Sequence, residues 1–361
     1  MGGSIQLGRI WGIPVRIHIT FLALVAIIGV EGYLKGGGLA EAGLSMLLIV
    51  ALFACVTLHE LAHSLVARSY GVRVESITLL PLGGIAAMQE MPRQPHEEAV
   101  MAIAGPMASV LIATLLGAVI HFTGYTGPVT HYGQPWLTML MGTNVAIAIF
   151  NLIPAFPMDG GRVLRAVLAH YIGLVRATGI AVSLGQGLAV CMALAGIFLF
   201  KMNLLLVLIA VFIFFGAGQE GQQVRAQAVL DHITAGQAMV TRFETLNRDA
   251  PLTIALGYAT EGYQHDFPVV AGDTIVGLVT RQDLLSALHH LGPQHTVGEV
   301  MTTQICQVPP EATLTDVYRR IAVGGCGIVL VRYGDRIVGL VSPESIRDQM
   351  VAAASGRPRA S

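Results

Sequence analysis

From Ile17 to Gly218 the sequence passes through a series of long apolar stretches, and no other feature limits its fold so severely. The hydrocarbon core of a bilayer admits only helices and closed barrels, because backbone polar groups find no water there. A helix needs about 20 apolar residues to cross it. Six stretches approach that length, at roughly 17–34, 43–67, 99–122, 135–155, 178–199 and 202–218. Only 12% of the chain is charged, against about 25% in a soluble domain, and the deficit falls in this region. The expectation is a polytopic α-helical membrane protein with six transmembrane helices, followed by a soluble region.

Charge sets the orientation. Arg9 and Arg16 precede the first stretch. Arg68, Arg73 and Arg93 separate the second from the third, Arg162, Arg165 and Arg176 the fourth from the fifth, and Arg225 follows the sixth. The opposite face carries Lys35 and Lys201. Basic residues favour the cytoplasmic side, so the protein is expected to be multi-pass in the cell membrane with both termini cytoplasmic. No small-residue cleavage site follows Arg9, Trp11 and Arg16, so a cleaved leader is not expected.

Between the second and third stretches, Val74–Ile85 is β-branched and then broken by Pro81 and Gly83-Gly84. It is too short to span and reads either as a short re-entrant β segment or as an ordinary loop. The cysteines Cys55, Cys191, Cys306 and Cys326 form no CxxC pair. That spacing argues for reduced thiols rather than a disulfide framework. A net charge of −1, with no basic run, gives no case for nucleic acid.

The second stretch contains Leu58-His59-Glu60-Leu61-Ala62-His63. On a helix, residues four apart share a face. His59 and His63 can therefore bind one metal ion, with Glu60 beside it as general base. Ionisable side chains at bilayer depth cost about 2.5–3.5 kcal/mol on insertion scales, and a bound ion offsets that cost. Catalytic zinc takes three protein ligands and leaves a position for water. The candidate third ligand is Asp159, in Asn151-Leu-Ile-Pro154-Ala-Phe-Pro157-Met-Asp159-Gly160-Gly161-Arg162. The prolines end the helix and Gly160-Gly161 permits close approach. Asp159 also fits an N-cap.

These two motifs resemble those of the site-2 protease family of intramembrane zinc metalloproteases, over roughly residues 5–220. The resemblance implies one catalytic Zn2+ held by His59, His63 and Asp159. Glu60 would activate water, and Asn151 would help to hold the transition state. Gly83, Gly84 and Ile85 match a segment that meets the substrate as an added strand. Ala104-Gly105-Pro106-Met-Ala-Ser109 resembles the family's GPxxN pattern, with Ser109 where Asn is usual, which puts a role for position 109 in doubt. The implied activity is endopeptidase cleavage in or near the membrane segments of membrane-anchored proteins, with the lipid bilayer as surroundings.

The soluble region repeats itself. Met239 and Met301 stand 62 residues apart, and Asp273/Asp335, Gly277/Gly339 and Thr280/Ser342 keep that offset. Each half reads as two strands, a turn and a helix. The repeat resembles a cytosolic α/β pair of cystathionine-β-synthase (CBS) domains. The expected boundaries are a transmembrane protease domain at 1–220, a linker at 221–235, and CBS domains at 236–292 and 296–352. Such pairs commonly bind adenine nucleotides (ATP, ADP or AMP), a hydroxyl and an acid three residues on holding the ribose. Thr280 and Asp283 meet that pattern, while Ser342 is followed by Ser345 in place of the acid. A module that only forms a homodimer or docks a partner remains open. So do two readings of the whole chain, a transporter gated by the repeat and a non-catalytic metal scaffold. The first has no need of HExxH with a distant Asp, and the second no need of Glu60.

Overall fold

The structure is a computed structural model and describes residues 3–81, 83–88, 91–92, 94–127, 134–261, 264–272, 274–322, 324–334 and 336–354. Leu82, Arg93, Asp273 and Asp335 therefore lie outside the described residues. The chain divides into two compact units, Met1–Val224 and Arg225–Ser361.

The first unit opens with strands that apolar patterning had not announced, β1 (Ser4–Ile10) and β2 (Ile13–His18). Helix α1 (Ile19–Gly32) follows, then one π-helical turn, Tyr33–Gly37, and α2 (Gly38–Ser69). Small residues let α1 close on α2, since a Cβ at Gly29 would lie 2.8 Å from the Met46 sulfur and one at Gly32 2.8 Å from Ser45 Oγ. The segment Val74–Ile85 is a hairpin of β3 (Val74–Leu80) and β4 (Gly83–Met88). The four strands form one sheet in the order β1-β2-β3-β4, with β2 and β3 parallel. Ile13, Phe21, Phe53, Leu61, Ile77 and Leu79 form a core that fixes this sheet against α1 and α2.

Helices α3 (Pro95–Thr123), α4 (Trp136–Asn151), α5 (Asp159–Ile172), α6 (Leu174–Phe198) and α7 (Leu204–His232), the last as far as Val224, complete the unit. Among the described residues, α2, α3, α6 and α7 are long and apolar enough to cross a membrane, and α4 is a shorter apolar helix. The expected spans at 17–34 and 135–155 correspond to helices of only 14 and 16 residues. The second of these stops at Asn151 because Pro154 and Pro157 cannot continue the backbone ladder. Most of the expected linker, 221–235, falls within α7, which runs unbroken to His232.

In the second unit a short helix α8 (Ala235–Ala238) precedes β5 (Leu246–Asn247), α9 (Leu252–Glu261), β6 (Asp266–Ala271), β7 (Thr274–Thr280) and α10 (Arg281–His290). The second half repeats this with α11 (Val297–Val300), β8 (Cys306–Val308), α12 (Leu314–Ala322), β9 (Val329–Tyr333), β10 (Arg336–Val341) and α13 (Pro343–Ala354). The halves trade segments. Val240 bridges Leu340 of the other half, and Thr302 bridges Leu278. Met239 packs on Gly339 and Met301 on Gly277, leaving no room for a Cβ at either glycine. The 62-residue offset thus reflects a reciprocal exchange between two α/β halves.

The expectation of separate thiols meets a close pair: Cys306 and Cys326 stand side by side, their Cα atoms 6.3 Å apart and within disulfide reach. The cause is topological: Cys306 pairs with Val329 at the start of β9, and Cys326 lies three residues before that strand. Spacing along a chain carries no trace of such a register.

Candidate metal centre

Helix α2 presents His59 and His63 on one buried face, one turn apart, with their Nε2 atoms separated by 3.2 Å. Asp159, the first residue of α5, brings Oδ2 to 3.3 Å from His59 Nε2 and 3.2 Å from His63 Nε2. Two imidazoles and a carboxylate from separate helices thus converge on one point, as a single divalent ion requires.

The remote ring nitrogens of both histidines have partners on α3. His63 Nδ1 lies 2.7 Å from the Met101 carbonyl oxygen, which can only accept, so Nδ1 carries the proton and Nε2 presents its lone pair inward. His59 Nδ1 lies 2.9 Å from Ser109 Oγ. Metal-binding histidines are oriented in this way by a partner on the remote nitrogen. Asp159 Oδ2 is buried without a well-aligned hydrogen bond, although both Nε2 atoms are near. Two imidazole nitrogens and a carboxylate oxygen facing one another at this spacing fit a cation.

Helix α3 supplies space as well as partners. A Cβ at Gly105 would fall 2.1 Å from His63 Nε2 and 2.6 Å from His59 Nε2. Glycine there leaves the volume an ion would fill. Met101, Gly105 and Ser109 occupy successive turns of α3, so a single helical face lines one side of the centre. At position 109, where the family pattern has Asn, a serine hydroxyl lies within hydrogen-bond distance of His59 Nδ1. Met101 acts through its carbonyl and leaves no mark in a sequence.

Asp159 owes its position to the irregular stretch Leu152–Met158. Gly160 and Gly161 press against the backbone of Leu152, Ile153, Ala155 and Phe156, where a Cβ would meet atoms at 2.4–2.7 Å. Phe156 N–H donates to the Ala181 carbonyl on α6, and Phe156 packs with Ala181 and Ala217. Asn151 is half-buried at the end of α4, eight residues before Asp159.

Glu60 follows His59 on α2 and faces the sheet. A Cβ on Gly84 would lie 2.6 Å from Glu60 Cγ, so β4 passes directly over this carboxylate. β4 is the last strand in the sheet order, and Ile85 on it is exposed.

Residues 47–134 and 127–194 match peptidase family M50, and 235–290 and 297–352 each match the CBS domain. A protein named zinc metalloprotease, from Methanocaldococcus jannaschii, is 35% identical over 96% of both chains. The chain belongs to peptidase family M50. Rip3 of Mycobacterium tuberculosis is 30% identical to the protease over 96% of this chain and 92% of its own length. A solved structure of the site-2 protease from Methanocaldococcus jannaschii is 41% identical, covers 60% of this chain and 95% of its own, and has a TM-score of 0.47. The protein is therefore a membrane zinc metalloprotease with a C-terminal CBS pair.

In that second unit, Thr280 and Asp283 cap α10 reciprocally. Thr280 Oγ1 donates to Asp283 Oδ2 at 2.6 Å, and the backbone N–H of Asp283 donates to Thr280 Oγ1 at 3.1 Å. Ser342 and Ser345 make the equivalent turn at α13. A cleft of about 1440 Å³ opens between the halves, lined by residues such as Arg242, Tyr258, Asp266, Ser342 and Ser345, and not by Thr280 or Asp283. Burial, with Glu344 nearby, pushes the Asp266 carboxyl up to about 6.

Proposed function

We propose that the protease hydrolyses peptide bonds in or near the transmembrane segments of membrane-anchored proteins, with His59, His63 and Asp159 as zinc ligands and Glu60 as the general base. The observation that carries this reading is the convergence of both Nε2 atoms and Asp159 Oδ2, with Glu60 on the adjoining helix position. Zinc in such a site acidifies water and polarises a carbonyl. Glu60 takes a proton from the attacking water on its carboxylate and passes it to the departing amide nitrogen. Asn151 donates a hydrogen bond to the carbonyl oxygen as negative charge develops on it.

A substrate helix must first expose its backbone, because its amides are engaged internally. The exposed edge of β4 at Gly83, Gly84 and Ile85 suits pairing with an unwound segment beside Glu60. Ile85→Pro should then impair cleavage. We assign the chain six membrane crossings, a transmembrane domain at 1–220, a connecting segment at 221–235 and CBS domains at 236–292 and 296–352. The basic residues of one face support a cytoplasmic position for both termini.

The CBS pair is read as an adenine nucleotide site that regulates cleavage and as a homodimer contact. Thr280, Asp283 and Ser342 are the ribose candidates. The cleft at Ser342 favours that half as the occupied one. ATP binding to full-length protein, lost in Ser342→Trp and kept in Thr280→Ala, is the expected result; the reverse pattern moves the ligand to the first motif.

The catalytic reading is tested by comparing membrane proteins co-expressed with wild type and with Glu60→Gln. Fragments should appear only with wild type, while Glu60→Gln keeps its zinc. Equal fragments from both would exclude Glu60 as base.

A further inference from the structure

Outside the metal cluster, the membrane unit buries a network of charges that the chemistry above does not use. Arg165 on α5 is 3% exposed, and Glu98 in the first turn of α3 is 5% exposed. Arg165 Nε donates to Glu98 Oε1 at 3.0 Å, and Nη2 contacts the same oxygen. Nη1 donates to Glu220 Oε1 on α7 at 3.1 Å. Arg162 Nη2 stands 4.0 Å from Glu220 Oε2, so two cations balance two carboxylates. The Arg165 guanidinium also lies over the Phe156 ring, 4.9 Å from its centroid.

One planar cation thus joins three helices and an aromatic ring. Its placement relative to Asp159 gives it a role. Phe156 precedes Asp159 by three residues and Arg165 follows it by six, so Arg165 grips the chain on both sides of the carboxylate. Its partner Glu98 sits on α3, the helix whose Met101 and Ser109 orient His63 and His59. The pair therefore ties the helix bearing the third acceptor to the helix that orients the other two. Buried ion pairs add little net stability, since apolar replacements are often neutral or stabilising. Fixed geometry is the better explanation, and a guanidinium with donors in a rigid fork supplies it.

We propose that Arg165, with Glu98 and Glu220, is a positioning residue that holds Asp159 in register with His59 and His63. It touches neither metal nor substrate and acts through α5 and Phe156. The proposal rests on the three residues being zinc ligands.

The test measures zinc affinity of the full-length protein in detergent by competition with a chromophoric chelator. The visible spectrum of the Co2+-substituted form reports ligand geometry independently of activity. Loss of an outer partner to a metal ligand typically weakens binding about 10–100-fold. Arg165→Met should fall in that range with an altered Co2+ spectrum, and Arg165→Lys should recover part of the affinity. Glu220→Gln, at the less buried end, should fold and show a smaller shift in the same direction. It decides the matter if Arg165→Met does not fold. Wild-type affinity and spectrum in every folded variant would overturn the proposal while leaving the ligand assignment intact. Failure of wild type to bind zinc would instead remove the ligand assignment itself.

Discussion

The membrane unit and the CBS pair spend their polar residues differently. Among the described residues of the first, the buried ionisable side chains gather in two places, the cluster of His59, His63 and Asp159 and the network around Arg165. In the second, hydroxyls and carboxylates are common, and the same spacing serves local structure. Thr280 and Asp283 meet the pattern of a ribose site, yet they bond to each other as a capping box. A carboxylate in an apolar helix must be offset by a specific partner, so its presence points to that partner, as Glu98 points to Arg165. An acid three residues after a threonine in a soluble domain needs no such explanation.

The largest effect expected from this contrast is at Gly105. Gly105→Ala places a methyl group where both Nε2 atoms converge, so zinc content and cleavage should both fall to background while the protein stays folded. Retained zinc would mean that the ion sits elsewhere. Ser109→Ala removes the partner of His59 Nδ1 and should weaken zinc about 10–100-fold, read by chelator competition. In the second unit, Thr280→Ala should lower the stability of that unit by about 1 kcal/mol through loss of a cap. Zinc affinity should stay at the wild-type value, and a change in it would break the separation drawn here.

The smallest effect concerns pH. The Asp266 carboxyl is raised from 3.8 to about 6 in the folded state. The folded form therefore holds its proton more tightly than the unfolded form between those values. This contribution to stability is fully present below about pH 4 and is lost as pH rises through about 6. Calorimetry of the full chain should show the transition of the second unit shifting up from pH 7.5 to pH 5.5. Asp266→Asn should raise it at pH 7.5 and flatten the dependence. An unchanged pH profile in the variant would exclude Asp266 as its source.

Much of the candidate metal centre is readable because helical geometry links positions four apart. His59 and His63 needed nothing more, and Pro154, Pro157 and Gly160-Gly161 flagged the turn that carries Asp159. Met101 was invisible because it contributes a backbone carbonyl. A role for Ser109 is in doubt from sequence because the resemblance is read at the level of residue type, whereas His59 needs only a hydrogen-bond partner within reach. Strands β1 and β2 escaped because β1 is largely exposed and its apolar residues, such as Ile5 and Leu7, face outward. The 62-residue repeat was clear, but the pairing of Cys306 with Cys326 depended on strand register.

The most direct test of the centre is X-ray absorption at the zinc edge of the purified full-length protein. The account predicts one zinc per chain, with scattering from two imidazoles at about 2.0–2.1 Å, oxygen at about 2.0–2.2 Å and no sulfur. Fewer than two imidazoles, or a sulfur shell at about 2.3 Å, would contradict it.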